Sequence, residues 1–325
     1  MVRKMEHNKI AILMSTYNGG EYLSKQIESI KEQTNTDWHL YIRDDGSTDD
    51  TLSILKEISD NDEKITFVNK DNIKNVGVIR SFMSLLESVD ADFYMFSDQD
   101  DVWKKNKVQR ALSLMQKQDY QAIPVCLHTE LQIVDDNLQP VELMKRERIW
   151  SDFQHFLFGN CVTGCTVMIN QQLKEMINFN SLNYSRISMH DWLFADVAAA
   201  FGKVIYDPTP TILYRQHGSN VVGGKDSQAT SQLIRRFFNL RGELEDLIMM
   251  VRMAEEFNKQ YGDEMSGRNQ EYLSAYAKLG EKSSLKYNLH LITKLPPCRS
   301  HLRGKLLLDF LMLTHNKELL ENYNE

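Results

Sequence analysis

Cysteine is scarce in this chain, four in 325 residues. Cys161 and Cys165 lie close together but without metal-ligand spacing, and Cys126 and Cys298 stand alone. Neither a disulfide framework nor a zinc site is indicated, and a reducing cytoplasm fits. Long apolar runs are also missing. No 18 consecutive apolar residues occur, which argues against a spanning helix and leaves a peripheral contact at the inner face of a membrane open. Nor is there an excess of basic charge: 38 Lys and Arg against 45 Asp and Glu give a net charge of -7. That balance speaks against nucleic acid as a partner and for a small or neutral one. "IAILM" follows basic residues near the N-terminus but is too short for a signal-peptide core, and reads as a first strand. Tandem repeats and low-complexity tracts are absent. What remains is 42% hydrophobic residues, core enough for one large domain or two modest ones.

The order of elements is alternating. After "IAILMST", Leu23, Ile27 and Ile30 mark a helical face within Tyr22 to Gln33. "WHLYI" alternates as a second strand, and Leu52, Leu55 and Ile58 mark a second helix, with Ser47 and Asp50 spaced as its capping box. "ITFV" is a third strand, Ile79, Phe82, Met83 and Leu86 a third helical stripe, and "FYMF" a fourth strand before a helix carrying Val108, Leu112 and Met115. Such alternation predicts βαβ units and a parallel sheet whose ligands bind beyond the carboxyl ends of its strands. From about residue 120, "VCLH", "LQIV" and "CVTGCTVMI" read as strands that extend the sheet. "HDWLFADVAAAF" follows as a buried helix, then "VIYD" and "TILYRQHGSNVVGG" as two strands and a Gly-rich loop. Beyond Lys225 the sequence is helical and richly charged, broken most clearly at "KLPPCRSHLRGK".

Polar clusters sit at the strand ends. Asp98, Asp100 and Asp101 crowd within four positions after "FYMF", a repulsion that needs a cation or a hydrogen-bond network to offset it. Hard oxygen ligands of this kind suit Mg²⁺ or Mn²⁺, while capping of the following helix is the competing role. Asp44 and Asp45 end the second strand in "RDDGSTDD", where a turn and cap account for Gly46, Ser47 and Asp49 or Asp50.

Seven segments in order, "STYNGG", "RDDGSTDDT", "NVGVIRSF", "SDQDDVW", "TGCTVMI", "HDWL" and "YRQHGSN", resemble the inverting glycosyltransferases of family 2 over roughly residues 9 to 224. The "SDQDDVW" and "YRQHGSN" versions look most like bacterial polysaccharide rhamnosyltransferases. The resemblance implies the glycosyltransferase A-type fold: a nucleotide-binding, Rossmann-like mixed sheet flanked by helices. The catalytic domain would span 1–224, with a donor half over about 9–118 and an acceptor half over about 119–224, and 225–325 would form a helical C-terminal region.

The same resemblance implies a nucleotide diphosphate sugar, dTDP-L-rhamnose or a UDP-hexose, as donor. A hydroxyl of a glycan, glycolipid or glycoprotein would be the acceptor. Thr16 and Tyr17 would line the base, Asp45 would hydrogen-bond the pyrimidine, and Arg215 would pair with the diphosphate. Asp100, with Asp98 and His217, would hold the metal, and Asp191 would be the general base, although an N-cap of its helix is also compatible with its position. The family usually has an acidic pair there, where this chain has His190 before Asp191. Trp103 and Trp192 are open to either core or sugar-stacking roles. A sugar nucleotidylyltransferase is the alternative enzyme, but "STYNGGEYL" lacks the basic residue its triphosphate loop needs. A catalytically silent nucleotide-sugar binder is the other alternative. The basic and apolar residues interleaved between His290 and Leu306 fit either a solvated face or a weak membrane or partner contact, and a homo-oligomer is equally open.

Overall fold

A computed structural model describes residues 9–144, 149–215, 240–299 and 301–321. The chain divides into two compact units, one from Met1–Glu147, Val162–Phe179 and Phe201–Asn220, the other from Arg148–Cys161, Asn180–Ala200 and Val221–Glu325.

The first unit is built on a seven-stranded sheet in the order β10-β6-β9-β4-β1-β2-β3. Its strands are β1 (Ile10–Thr16), β2 (Trp38–Asp44), β3 (Ile65–Phe67), β4 (Phe93–Ser97), β6 (Val125–Thr129), β9 (Val167–Asn170) and β10 (Lys203–Asp207). Only β9 runs antiparallel to its neighbours, so the sheet is mixed, as the motif pattern implies. Central strands such as β1 and β4 are apolar almost throughout because both faces are covered, among others by α1 (Leu23–Lys31), α2 (Thr51–Asn61), α3 (Val78–Ser88) and α4 (Lys107–Met115). Register decides where the polar residues go. Thr16 lies level with Asp44 on β2, and Met14 with Ser97 on β4. The segments that leave β1, β2 and β4 therefore share one edge of the sheet.

A second sheet, β5-β11-β7-β8, joins β5 (Val102–Trp103), β7 (Gln132–Val134), β8 (Pro140–Leu143) and β11 (Ile212–Arg215). It was not legible as a separate sheet, because β5 has only two residues. Two local expectations are corrected. In "CVTGCTVMI" only Val167 onward is strand; Gly164–Thr166 is a 3-10 turn. There the Thr166 hydroxyl donates to the Thr163 carbonyl at 2.6 Å, a local bond that competes with the ladder. The Ser47–Asp50 capping box does not form. Asp50 makes no side-chain cap, and Asp49 instead accepts from the Thr51 amide at 3.1 Å and the Thr51 hydroxyl at 2.5 Å.

The second unit is helical. The short α5 (Phe153–Phe156) packs Phe153 on Phe257 at 5.3 Å, and α7 (His190–Phe201) is apolar nearly all round and buried. Longer helices follow at Leu240–Tyr261, Gly267–Ala277, Leu285–Lys294 and Leu302–Thr314. No helix among the described residues is long and apolar enough to cross a membrane.

Gly202, at the turn into β10, tests the packing of the first unit. A Cβ there would fall 1.9 Å from the Pro124 carbonyl oxygen, which also accepts from the Lys203 amide at 3.0 Å. Gly202→Ala is expected to cost about 1–3 kcal/mol by overpacking, read as a lower urea midpoint with unchanged slope.

Candidate active site

The shared edge is a hydrogen-bond knot. Asp44 accepts from Thr16 Oγ1 at 2.8 Å, the Gly46 and Ser47 amides at 2.9 and 2.8 Å, and Ser47 Oγ at 2.6 Å. Its carboxylate is wholly engaged in holding the turn. Asp45 is buried, with Oδ1 accepting from Arg43 at 2.7 Å and the Val76 amide at 2.8 Å, and Oδ2 from the Gly77 amide at 2.9 Å. It thus ties "NVGVIRSF" to the end of β2, just where α3 begins. Asp49 accepts from the Gly20 amide at 3.0 Å. Burial alone would raise Asp49, but the bonds from Thr51 and Gly20 hold its carboxyl below the ordinary value.

Tyr17 stands exposed beyond β1. Its backbone is clamped by the Gln99 side chain, which accepts from the Tyr17 amide at 2.8 Å and donates to its carbonyl at 2.9 Å. The close approach requires Gly19, where a Cβ would sit 2.1 Å from Gln99 Oε1. Nothing local in the motif signals this clamp: Gln99 reads as a spacer between acids.

Asp98 and Asp100 are partly exposed, whereas Asp101 is fully buried. Burial, then the charges of Asp98 and Asp100, push the Asp101 carboxyl well above the ordinary range. Neither oxygen finds a partner at full hydrogen-bond geometry among the described residues, although the Cys165 thiol and the Arg215 backbone lie close enough to favour its charged form. Lys107, from the first turn of α4, is equally buried, with its ammonium 4.8 Å from the Trp103 ring centroid. Burial pulls it down to about 8, against the attraction of Cys165 and Asp101. It remains a cation at neutral pH, a counter-charge built into the protein. Its place just before Val108 in the apolar stripe of α4 was the only hint, since lysines are almost never buried unpaired.

A divalent cation fits this group. Oxygens of Asp98 and Asp101 and the sulfur of Cys165 lie within 4.8 Å of one another. Burial and Asp101 push the Cys165 thiol up, so it keeps its proton and makes a poor ligand. That leaves the partly exposed carboxylate of Asp98 and the buried carboxyl of Asp101 as the hard oxygens of the group, and Asp100 is not one of its three members. His217 lies outside the described residues.

Arg215 ends β11, whose antiparallel pairing to β5 sets Ile212 opposite Trp103 and so carries Arg215 toward the acids. Its guanidinium donates to the Asp136 carbonyl at 2.8 Å and lies 5.1 Å from the Tyr22 ring centroid. Trp103 is core, whereas Trp192, in the second unit, is partly exposed and donates to the Phe156 carbonyl at 2.7 Å.

In the second unit Asp191 lies inside the first turn of α7 rather than at its cap, buried, with Oδ1 accepting from Asn160 Nδ2 at 3.0 Å. Burial shifts two of its neighbours: it drives His190 down to about 3 and holds it neutral, and it raises Asp196 well above its ordinary value. Glu130, in the first unit, is pinned by the Leu131 amide and the Tyr206 hydroxyl, each at 2.9 Å.

Lys107 supplies a pH test. Below about pH 8 folded and unfolded chains both carry its proton and the burial cost is felt in full. From there to the ordinary lysine value the unfolded chain binds more protons, so stability rises with pH, by roughly 3 kcal/mol across the window. Chemical denaturation over a pH series should show this rise in the wild type relative to Lys107→Met; parallel curves would remove the charged lysine.

A family model, Glycosyl transferase family 2, matches residues 11–175. The dTDP-rhamnosyl transferase RfbG of Shigella flexneri is 32% identical over 222 residues, 66% of this chain and 75% of that protein. Among solved structures, S. aureus TarS 1-349 in complex with UDP-GlcNAc superposes with a TM-score of 0.53 at 13% identity, covering 97% of this chain and 91% of that one. The mannosyltransferase PcManGT from Pyrobaculum calidifontis, in complex with GDP-Man and Mn2+, gives 0.53 at 13% identity, covering 98% and 85%. These two share the fold. With its level strand ends, its crowded carboxylates and the family match spanning both, the chain belongs to glycosyltransferase family 2.

Proposed function

We propose that the chain is a metal-dependent inverting glycosyltransferase that moves a sugar from dTDP-L-rhamnose, or from a UDP-hexose, to a hydroxyl of a glycan, glycolipid or glycoprotein in bacterial surface polysaccharide synthesis. The observation that carries the donor is the 32% identity over 222 residues to a dTDP-rhamnosyl transferase. In this reading residues 1–224 hold the catalytic machinery, the helical region from 225 onward is an accessory, and the enzyme works in the cytoplasm at the inner face of the membrane.

Thr16 and the exposed Tyr17 line the base, and Asp45 offers its remaining acceptor capacity to the pyrimidine ring while fixing the loop at Val76 and Gly77. Asp98 and Asp100 hold Mg²⁺ or Mn²⁺, joined by His217; such an ion neutralises a departing diphosphate. Arg215, preset by Asp136 and Tyr22, adds a fixed positive charge for phosphate oxygens. Asp191, oriented by Asn160, takes the acceptor hydroxyl proton as the new C1–oxygen bond forms and the bond from C1 to the diphosphate oxygen breaks.

Asp191→Asn should cut turnover by about 10²–10⁴-fold, measured as release of free nucleoside diphosphate, with donor affinity unchanged. The amide keeps an oxygen for Asn160, so the fold should persist. Near wild-type turnover in this variant would move the base elsewhere. Chelation should abolish transfer, and transfer that persists without a divalent cation would reject the metal assignment.

A further inference from the structure

The helix Leu302–Thr314, "LRGKLLLDFLMLT", is apolar on both sides. It buries Leu308, Leu311 and Met312, yet leaves Leu302, Leu306 and Phe310 exposed at 72%, 57% and 47%. At helical spacing 302, 306 and 310 form one outward stripe, opposite the buried one. The helix Leu285–Lys294, packed against it, adds Leu285 at 60% and Leu289 at 51%. Nine large hydrophobic residues are strongly exposed among the described residues, and five of them fall on these two helices. Single exposed leucines need no explanation, but a three-residue stripe on one helix with two more leucines on the helix packed against it does.

Charge identifies what would cover it. From Lys282 to Lys317 the chain carries seven Lys and Arg (Lys282, Lys286, Lys294, Arg299, Arg303, Lys305, Lys317) against one acid, Asp309, a net of +6 in a protein whose total is -7. Lys286 and Arg303 are exposed beside the leucines of their own helices, and Asp309 is half-buried. An apolar stripe flanked by lysine and arginine matches a bilayer surface with anionic headgroups: leucines enter the acyl boundary and the long basic side chains stay at the phosphates. A second copy of the chain would bring like charge against like charge. We propose that this two-helix face is a peripheral membrane-binding surface selective for anionic lipid.

The surface can be tested without nucleotide or acceptor, so its failure and that of the proposed reaction are separable. Full-length protein is floated at low salt with vesicles of phosphatidylcholine alone, and of phosphatidylcholine mixed with phosphatidylglycerol. Binding is expected to the mixed vesicles only and to weaken as salt is raised. Lys286→Ala and Arg303→Ala should each weaken it about fivefold. The double substitution Leu306→Ser with Phe310→Ser, at exposed positions that leave the circular dichroism spectrum intact, should weaken it about tenfold or more. No binding to anionic vesicles, equal binding to both compositions, or indifference to the Leu306 and Phe310 changes would each overturn the proposal. So would a wild type that sediments as a dimer and a serine variant that sediments as a monomer, with neither floating, since the face would then belong to a second copy.

Discussion

Three carboxylates crowded at the end of β4 are the constraint around which the first unit is arranged. Asp101 is buried outright, and an unpaired charge at such a place costs several kcal/mol. The protein's own cation in this region is Lys107, equally buried, held against the Trp103 ring and attracted by Asp101 without an ion-pair contact to it. Trp103 belongs to β5, β5 pairs with β11, and β11 carries Arg215, so the counter-charge and the strand that brings a second cation form one construction. One lysine does not balance three acids. The surplus negative charge at Asp98 and Asp100 is what a divalent cation and its diphosphate would use.

The neighbouring motif shows how scaffold and site can be the same atoms. Asp44 spends its carboxylate on the turn, and Asp45 spends three acceptor positions on Arg43, Val76 and Gly77. Arg43 in turn donates to the Lys74 carbonyl at 2.8 Å, so the whole 74–77 segment hangs from the end of β2. Loss of the Asp45 carboxylate would release backbone donors as well as any nucleotide contact. Activity lost on its removal is therefore weaker evidence for base recognition than activity lost at Tyr17, whose side chain is exposed.

Much of this was legible in the sequence because the signals were local and repeated. Apolar runs of strand length separated by helical stripes give the sheet, and acids placed directly after those runs give its ligand edge. What was not legible depends on contacts across long separations. Gln99 reaches back 82 residues to Tyr17, and Cys165 meets Asp101 only because β9 lies beside β4. The expected capping box failed because Asp44 captured Ser47 first, a competition that spacing alone does not reveal. Burial on one side of a helix is likewise visible as periodicity, but the Leu302–Thr314 helix is apolar on both sides, and only the packed chain tells which leucines were left outside.

The most direct measurement on the crowded carboxylates is a calorimetric titration of dTDP, UDP and GDP into the wild type and Asp100→Ala, each with Mn²⁺ and with chelator. The expected result is tight binding of a pyrimidine diphosphate by the wild type only when Mn²⁺ is present, weakened in Asp100→Ala to the level seen with chelator. Equal affinity with and without the cation, or a preference for GDP, would contradict it.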